Sequence, residues 1–182
     1  MKINAEIAKS YRCPRWHNLP AIPLYMDQVV LVLEESLGSF AGQEKIVTAT
    51  MVNNYVKQKV IAPPEKKKYG RSHIAELIMV SILKRVLSMS EIIVLKQTLT
   101  ATLGMEDSYT LFCEKLESAL CAAFTDTASP TFGTSTNDGP IGALDAALAA
   151  LMGKLYVQEF VQAATARTTA KEAKAASAKS KK

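Results

Sequence analysis

The residues best suited to recognise a partner are the hydroxyls, amides and cation between positions 48 and 57, in the sequence TATMVNNYVK. This stretch predicts a short helix whose start Thr48 or Thr50 can cap, because a hydroxyl accepts hydrogen bonds from the free amides of a first helical turn. With a rotation of roughly 100° per residue, the polar side chains share about a third of the helix circumference. The residues on this polar face are Thr50, Asn53, Asn54 and Lys57.

Such a polar face is typical of a helix that reads a DNA groove. An Asn amide can bond to the N6 and N7 edge of adenine, and a Lys can contact guanine or a phosphate. Two adjacent Asn are poor helix formers, since their amides compete for the backbone, so their presence calls for a functional reason. For the helix alone, a solvated face with a C-terminal lysine favoured by the helix dipole is an equally good interpretation.

A basic loop follows this helix and favours the functional interpretation. The Ala-Pro-Pro sequence at 62–64 cannot continue a helix. Residues 57–73 hold six Lys or Arg against Glu65, a net charge of +5 that equals the charge of the whole chain. Solvated charge is the alternative, but the position between two helices predicts a hairpin or wing that contacts phosphates. The cations expected to do so, besides Lys57, are Lys66, Lys67, Lys68 and Arg71.

Other helices must hold these residues in place. The sequence predicts a first helix that ends at a left-handed Gly38, a buried core helix capped by Ser72, and a third that starts at the capping box Ser88–Glu91 and ends at Gly104. A fourth carries the apolar stripe Phe112, Leu116, Leu120 and Ala123. The predicted bounds of the first, second and fourth helices are Met26–Leu37, His73–Leu87 and Asp107–Phe124.

A further helix is predicted to start at Pro140, capped by Asp138 or Gly139, after a loop at 124–139. Its apolar residues recur at spacings of 3, 4, 3 and 4, as in a heptad seam. The seam could pack on the helix at 107–124, form a dimer interface, or do both. From Arg167 onward the Lys- and Ala-rich chain is expected to be disordered and to coat DNA non-specifically. The seam residues are Ile141, Leu144, Leu148, Leu151 and Leu155.

Composition limits the class of protein. Of the 182 residues, 48% are apolar, which is enough for a core. Residues 1–24 carry a net +3 and residues 167–182 a net +5, whereas 101–166 are acidic, as expected for a nucleic-acid reader with a separate assembly region. No signal peptide and no apolar run of roughly 18 residues is found, which predicts a cytoplasmic protein without a membrane partner.

The sequence gives no indication of catalysis. It has neither a nucleotide-binding glycine pattern nor a nucleophile elbow, so we expect no enzyme and no cofactor. Three widely spaced cysteines do not indicate a disulfide framework. Cys113 and Cys121 would lie roughly 12 Å apart along a helix, too far to share a metal, and are expected to be buried spectator thiols. No metal site is therefore predicted. In the N-terminal segment 1–24, here called the lead-in, Trp16, Leu19 and Ile22 are expected to pack on the surface of the helical domain that follows.

Five short pieces of the sequence form a recognisable set. They are Pro14-Arg15-Trp16, Leu24-Tyr25-Met26-Asp27-Gln28, Asn53-Asn54-Tyr55-Val56-Lys57, Pro63 to Tyr69 and Ser-x-x-Glu-Ile at 88–92. Together they resemble the winged helix of MerR-type transcription regulators and, more closely, an uncharacterised bacterial family within that group. The resemblance covers roughly residues 11–100. It implies that the helix after Thr48 is the recognition helix, that residues 66–71 form the wing, and that the protein binds DNA as a dimer, but it implies no ligand.

The sequence therefore predicts an all-α fold. It comprises an irregular lead-in at 1–24, a winged helix-turn-helix domain at 25–103, a helical dimerisation or effector region at 104–166 and a basic tail at 167–182. The expected function is a dimeric, sequence-specific regulator that binds double-stranded DNA through the polar face, the loop cations and Thr48. One alternative is a protein-interaction adaptor on the same scaffold. Another is a sensor whose small-molecule effector would lie between the helices of 107–166.

Overall fold

The computed structural model describes residues 5–40, 47–125 and 139–179, and within these ranges the chain is mainly helical. No strand longer than an isolated bridge occurs in these ranges. The predicted all-α class is therefore confirmed. The α-helices are α1 Ala5–Ser10, α2 Met26–Leu37, α3 Ala49–Lys57, α4 Arg71–Leu83, α5 Met89–Leu103, α6 Met105–Thr125 and α7 Pro140–Lys179, with short 3-10 turns at Trp16–Asn18 and Gly38–Phe40.

Helix α4 lies at the centre of the molecule. Nine of its 13 residues are buried, and it packs against α2, α6 and α7. A helix that is apolar on all sides gains stability only when other elements surround it. The predicted core helix is thus confirmed, but its predicted bounds are wrong. It begins at Arg71 because the Gly70 N–H donates to Nδ1 of His73 at 3.1 Å, and it ends at Leu83 before a run of turns that leads to Ser88.

Local caps explain where most of the other helices start and end. Thr48 Oγ1 accepts from the Met51 N–H at 3.3 Å, and Ser88 Oγ accepts from the Glu91 N–H at 3.3 Å. The Glu91 carboxylate accepts from the Ser88 N–H at 2.7 Å, which completes the predicted capping box. Gly104 has φ 81° where α5 ends, as its predicted role requires.

Gly38 does not play its predicted role. Its φ of −52° is right-handed, so it does not stop α2 in the left-handed region. The chain instead continues into the 3-10 turn through Phe40, whose ring is fully buried. That ring meets Tyr11 edge-to-face at 5.0 Å between centroids. Burial of Phe40 therefore decides the course of the chain here, and residues 41–46 beyond it lie outside the described ranges.

The heptad seam of α7 packs within the chain. Leu144, Leu148, Leu151 and Leu155 are at most 1% exposed, and Ile141 is half-buried. Helix α7 contacts α4, α5 and α6. Of the alternatives considered for these five residues, intramolecular packing is the one observed. Pro140 is the first residue of the helix, as predicted, while the loop prediction for 126–138 falls outside the described residues.

Beyond the seam, α7 continues as one helix to Lys179. The predicted disorder from Arg167 is therefore wrong up to that residue, because Ala and Lys are among the strongest helix formers. The part Pro140–Ala166 is long and apolar enough to cross a membrane, with a mean hydropathy of 1.3. No apolar stretch of this length was expected from the sequence. One third of the apolar part of Pro140–Ala166 is buried inside the protein.

A tight β-hairpin connects α3 to α4, as the sequence predicted. The Glu65 N–H donates to the Lys68 carbonyl at 3.1 Å, and the Lys68 N–H donates to the Glu65 carbonyl at 2.8 Å. The two residues of the turn, Lys66 and Lys67, have φ of 48° and 66°. Positive φ at both central positions is typical of a type I′ turn, where Asn-Gly is the favoured pair. Two lysines therefore occupy backbone conformations that disfavour them.

The base of this hairpin is held by the lead-in. Leu24 and Tyr69 exchange backbone hydrogen bonds of 2.9 and 2.8 Å in an antiparallel bridge. The Tyr69 side chain is buried below the hairpin, as predicted, and meets the His73 ring edge-to-face at 5.6 Å. Burial raises the pKa of the Tyr69 hydroxyl. The hairpin is thus fixed at its base, while its two-residue tip points away from the core.

Truncation of the α7 seam should destabilise the fold. Leu148→Ala removes a side chain that is 1% exposed and leaves a cavity between α7 and the body, so we expect a loss of about 2–5 kcal/mol in the free energy of unfolding. Leu31→Ala is a matched control, because Leu31 is 65% exposed and its truncation should change stability by less than about 0.5 kcal/mol. Urea denaturation measures both. Equal effects would contradict the packing described for α7.

Replacement of the hairpin turn should stabilise the protein. Lys66→Asn with Lys67→Gly supplies residues that adopt positive φ readily, so we expect a gain of about 1 kcal/mol in unfolding free energy. Lys66→Ala with Lys67→Ala removes the same charges but keeps residues that disfavour this turn. It therefore serves as the control and should bring no gain. The conformation assigned to the turn would be refuted by equal stability of the two double variants in thermal melts.

Candidate nucleic-acid interface

Helix α3 has the two faces that its sequence predicts. Thr50, Asn53, Asn54 and Lys57 are all exposed, whereas Val52 and Tyr55 are buried in the core. Thr48, which was also predicted to contact a partner, is half-buried and its hydroxyl caps the helix. The structure therefore brings four of the five predicted helix residues together on one solvent-facing surface, and it places the fifth at the start of the helix.

The end of α3 is built by a left-handed residue that the sequence analysis did not identify. Lys59 has φ 58°, the Lys59 N–H donates to the Val56 carbonyl at 3.0 Å, and the Val60 N–H donates to the Tyr55 carbonyl at 2.9 Å. These two hydrogen bonds form a Schellman motif, in which a glycine is usual at the left-handed position. Helix α3 thus ends at Lys57, six residues before Pro63, and Lys59 presents a further exposed cation at its end.

A lysine from α5 fixes the end of α3 to the core. Lys96 Nζ donates to the Val60 carbonyl and forms an ion pair of 2.9 Å with Glu76 of α4. Both side chains are largely shielded from solvent, so salt screens this pair less than a surface ion pair. This contact joins α3, α4 and α5 at one point. The orientation of the polar face is therefore set by the central helix α4.

The cations of the basic loop fall into two groups. Lys66 and Lys67 are exposed at the hairpin tip, and neither has an ion-pair partner among the residues that the structure describes. Lys68 and Arg71 are half-buried, with Lys68 Nζ 4.8 Å from the centre of the Tyr25 ring and Arg71 Cζ 5.9 Å from that of Trp16. The first pair is available to bind an anion, whereas the second pair also braces the hairpin base.

Two aromatic residues, Trp16 of the lead-in and Tyr25 directly after it, contribute to this surface, and neither was predicted to lie there. Tyr25 is 51% exposed beside the hairpin, and the half-buried Trp16 contacts Arg71. The pairing of Leu24 with Tyr69 brings these residues to the hairpin across more than 40 positions of sequence, so no local pattern could indicate it. The expected lead-in contact of Ile22 is wrong, because its side chain is exposed, whereas Leu19 is buried as expected.

A metal site, the cysteines and a small-molecule pocket are the other kinds of site that the sequence raised. Among the described residues, no group of three or more His, Cys, Asp or Glu could hold a metal ion. Cys113 is buried as predicted, but Cys121 is exposed, which contradicts its predicted burial. An apolar groove of about 630 Å³ lies between α5 and the start of α7 and is lined mainly by Leu87, Val94, Leu95, Pro140 and Ala143. The effector pocket was expected between the helices of 107–166. The observed groove differs, because one of its sides is formed by residues 87–98, in and before α5.

Comparison with known proteins identifies the family to which the chain belongs. Neither the curated proteins nor the solved structures include a match to this chain. A family described as Domain of unknown function (DUF1836) matches residues 14–115, more than half of the 182 residues. The matched segment includes the lead-in from Pro14, the whole of α2 to α5 and every residue of the candidate interface. The chain therefore belongs to the DUF1836 family, which confirms the expected membership of an uncharacterised family.

Proposed function

We propose that this protein is a transcription regulator that binds a specific sequence of double-stranded DNA as a homodimer, and that it is not an enzyme. We further propose that α2, α3 and the hairpin act as a winged helix similar to that of MerR-type regulators. The observation that carries the proposal is the exposed pair of amides on α3, followed along the chain by a hairpin whose two tip lysines have no ion-pair partner among the described residues.

Helix α3 has a suitable size and chemistry to read DNA. Its nine residues span about 14 Å, close to the width of roughly 12 Å of a major groove. Asn53 and Asn54 would read base edges, and adenine is the base that an Asn amide bonds with two hydrogen bonds. Thr50 lies on the same exposed face. The buried side of the helix, with Val52 and Tyr55, prevents rotation of the amides away from the bases.

The hairpin would contact the phosphates. A two-residue turn places both tip lysines at the outermost point of the loop, where the core does not restrict a partner. The positive φ of these two lysines supports a role for their charge, because residues in strained backbone conformations are concentrated at functional positions. Lys57, Lys59 and Arg71 extend the positive charge from α3 towards the hairpin base. Such contacts fix the register of a protein on DNA but carry no sequence information.

The dimer would form through a part of α7 beyond the buried seam. Tyr156, Val157, Phe160 and Val161 are 53–69% exposed and form i, i+4 pairs along one side of the helix. These residues follow the seam in sequence but lie on the opposite face of α7, since at roughly 100° per residue they are turned by about 100–240° from Leu155. The leucines of the seam are already covered by the chain. A second copy would bury this apolar strip, and a two-fold dimer would place two α3 helices about one DNA turn apart if they face the same side.

Two substitutions separate base reading from phosphate binding. On a duplex selected from a random pool, Asn53→Ala should weaken binding by about 1–3 kcal/mol and relax specificity at one base position. Lys67→Ala should weaken binding to all duplexes alike and reduce the slope of log K against log salt by about 0.9 per lost phosphate contact. Gln97→Ala, an exposed amide on α5, is the control and should bind as wild type. Fluorescence anisotropy over a range of salt concentrations measures each quantity.

Two outcomes would contradict this proposal. An equal loss on specific and random duplexes for Asn53→Ala would show that α3 does not read bases. No retention of duplex DNA by the wild type at low salt would favour the alternative of a protein-interaction adaptor, because a protein that makes several phosphate contacts binds most strongly there.

A charge on the exposed strip should separate the dimer. Phe160→Glu places a carboxylate in the proposed interface and should weaken dimerisation by at least about tenfold, as measured by sedimentation equilibrium. Leu31→Glu introduces the same charge at an exposed apolar position of α2 and should leave the dimer intact. A monomeric wild type, or a Phe160→Glu variant as dimeric as Leu31→Glu, would contradict the proposed interface.

A further inference from the structure

Two cysteines that are 100 positions apart in the sequence lie against each other in the fold. Cys13 belongs to the lead-in and Cys113 to α6, and they are 2% and 0% exposed. Each thiol shifts the pKa of the other, as neighbouring groups do. Both also lie beside one polar unit, in which the Tyr109 hydroxyl donates to the Pro14 carbonyl at 2.7 Å. Cys13 Sγ is 3.8 Å from Tyr109 Oη, and Cys113 Sγ is 3.9 Å from the Pro14 carbonyl oxygen.

The carboxylate of Glu117 on α6 holds the lead-in in place beside that helix. One oxygen of Glu117 accepts from the Cys13 N–H at 2.8 Å, and the other accepts from the Arg15 guanidinium at 2.8 Å. These contacts lie on either side of Pro14 and fix the backbone on which Cys13 is carried. Cys113 and Glu117 are one helical turn apart on α6, so the same face of that helix supplies both the second thiol and the anchor. The thiol pair is therefore positioned by several independent contacts.

We propose that Cys13 and Cys113 are a redox-reactive dithiol, which hydrogen peroxide oxidises to an intrachain disulfide and a small-molecule thiol reduces again. The proposal does not rest on DNA binding. Cys121 does not belong to the pair, because it is exposed elsewhere on α6, and no disulfide is formed in the structure.

The two thiols have different roles in this reaction. The hydrogen bond from Cys113 lowers the pKa of Cys13, whereas the same bond and burial raise the pKa of Cys113. Of the two thiols, Cys13 therefore loses its proton more readily, and the thiolate is the nucleophile of cysteine chemistry. Its sulfur attacks one peroxide oxygen, the O–O bond breaks, and the departing hydroxide takes a proton to become water. Cys13 is left as a sulfenic acid.

Cys113 completes the reaction. Its sulfur attacks the sulfur of the Cys13 sulfenic acid, the S–O bond breaks, and the leaving hydroxide takes the Cys113 proton as a second water. Two thiols and one peroxide therefore give one disulfide and two waters. Peroxide reaches the buried pair when the lead-in opens locally, since residues 11–15 form no helix and are held to α6 mainly by the contacts of Cys13, Arg15 and Pro14.

Peptide mapping of a Cys121→Ser chain tests the proposal without disturbing the pair, because Cys121 is exposed. After treatment with hydrogen peroxide, most chains should lose two hydrogens and yield a peptide pair linked through Cys13 and Cys113 under non-reducing conditions. Dithiothreitol should restore the original mass. The melting temperature of the oxidised chain should rise by roughly 5 °C or more, since the bond closes a loop of about 100 residues. Unmodified thiols, or links only between chains, would overturn the proposal.

A second pair of variants tests the roles of the two thiols. In Cys113→Ser with Cys121→Ser, the Cys13 sulfenic acid has no resolving thiol and should be trapped by dimedone. In Cys13→Ser with Cys121→Ser, burial still raises the pKa of Cys113 and the serine keeps a hydroxyl beside it, so Cys113 should give far less adduct, by about tenfold or more. Equal labelling of both variants, or stronger labelling of Cys113, would overturn the assignment of Cys13 as the nucleophile.

Discussion

The burial of α4 on all sides is the constraint on which the rest of this structure depends. With nine of its 13 residues buried, α4 is stable only inside a shell formed by the other helices. The two parts of the candidate interface are joined to it directly. The hairpin leads into its first turn through Gly70, and the end of α3 is held through Lys96 to Glu76 in its middle. Relative movement of the two parts would therefore require the core to be disturbed.

Strain in the backbone is concentrated on the basic surface. Among the described residues, those other than glycine with positive φ are Lys59, Lys66 and Lys67. Each occupies a position where glycine or asparagine would be more stable, at the end of α3 or in the hairpin turn. Elsewhere local preference and observed structure mostly agree, as at the caps Thr48 and Ser88. Such a local conflict in an otherwise consistent chain is typical of residues kept for a function.

Helix α7 and the lead-in each have two parts with different surroundings. The leucines of the seam are covered by the body of the same chain, whereas the aromatic and Val residues that follow them are exposed. At roughly 100° per residue the exposed residues lie on the face of α7 opposite the seam, so the packing of α5 and α6 on the seam leaves them uncovered. The lead-in likewise serves two regions, because Leu24 holds the hairpin while Cys13 and Arg15 hold α6.

The sequence by itself determined the features whose cause lies within a few residues. The faces of α3, the caps at Thr48 and Ser88, the left-handed Gly104, the helix start at Pro140 and the hairpin after the prolines all depend on local hydrogen bonds or periodicity. Tertiary structure decided the features that depend on distant partners. Burial of Phe40 continues the chain past Gly38, where a helix stop was expected. Leu24 pairs with Tyr69, Cys13 lies close to Cys113, and the seam of α7 packs against helices of the same chain. A pattern in sequence specifies which surface must be covered, but the packing of the whole chain decides what covers it.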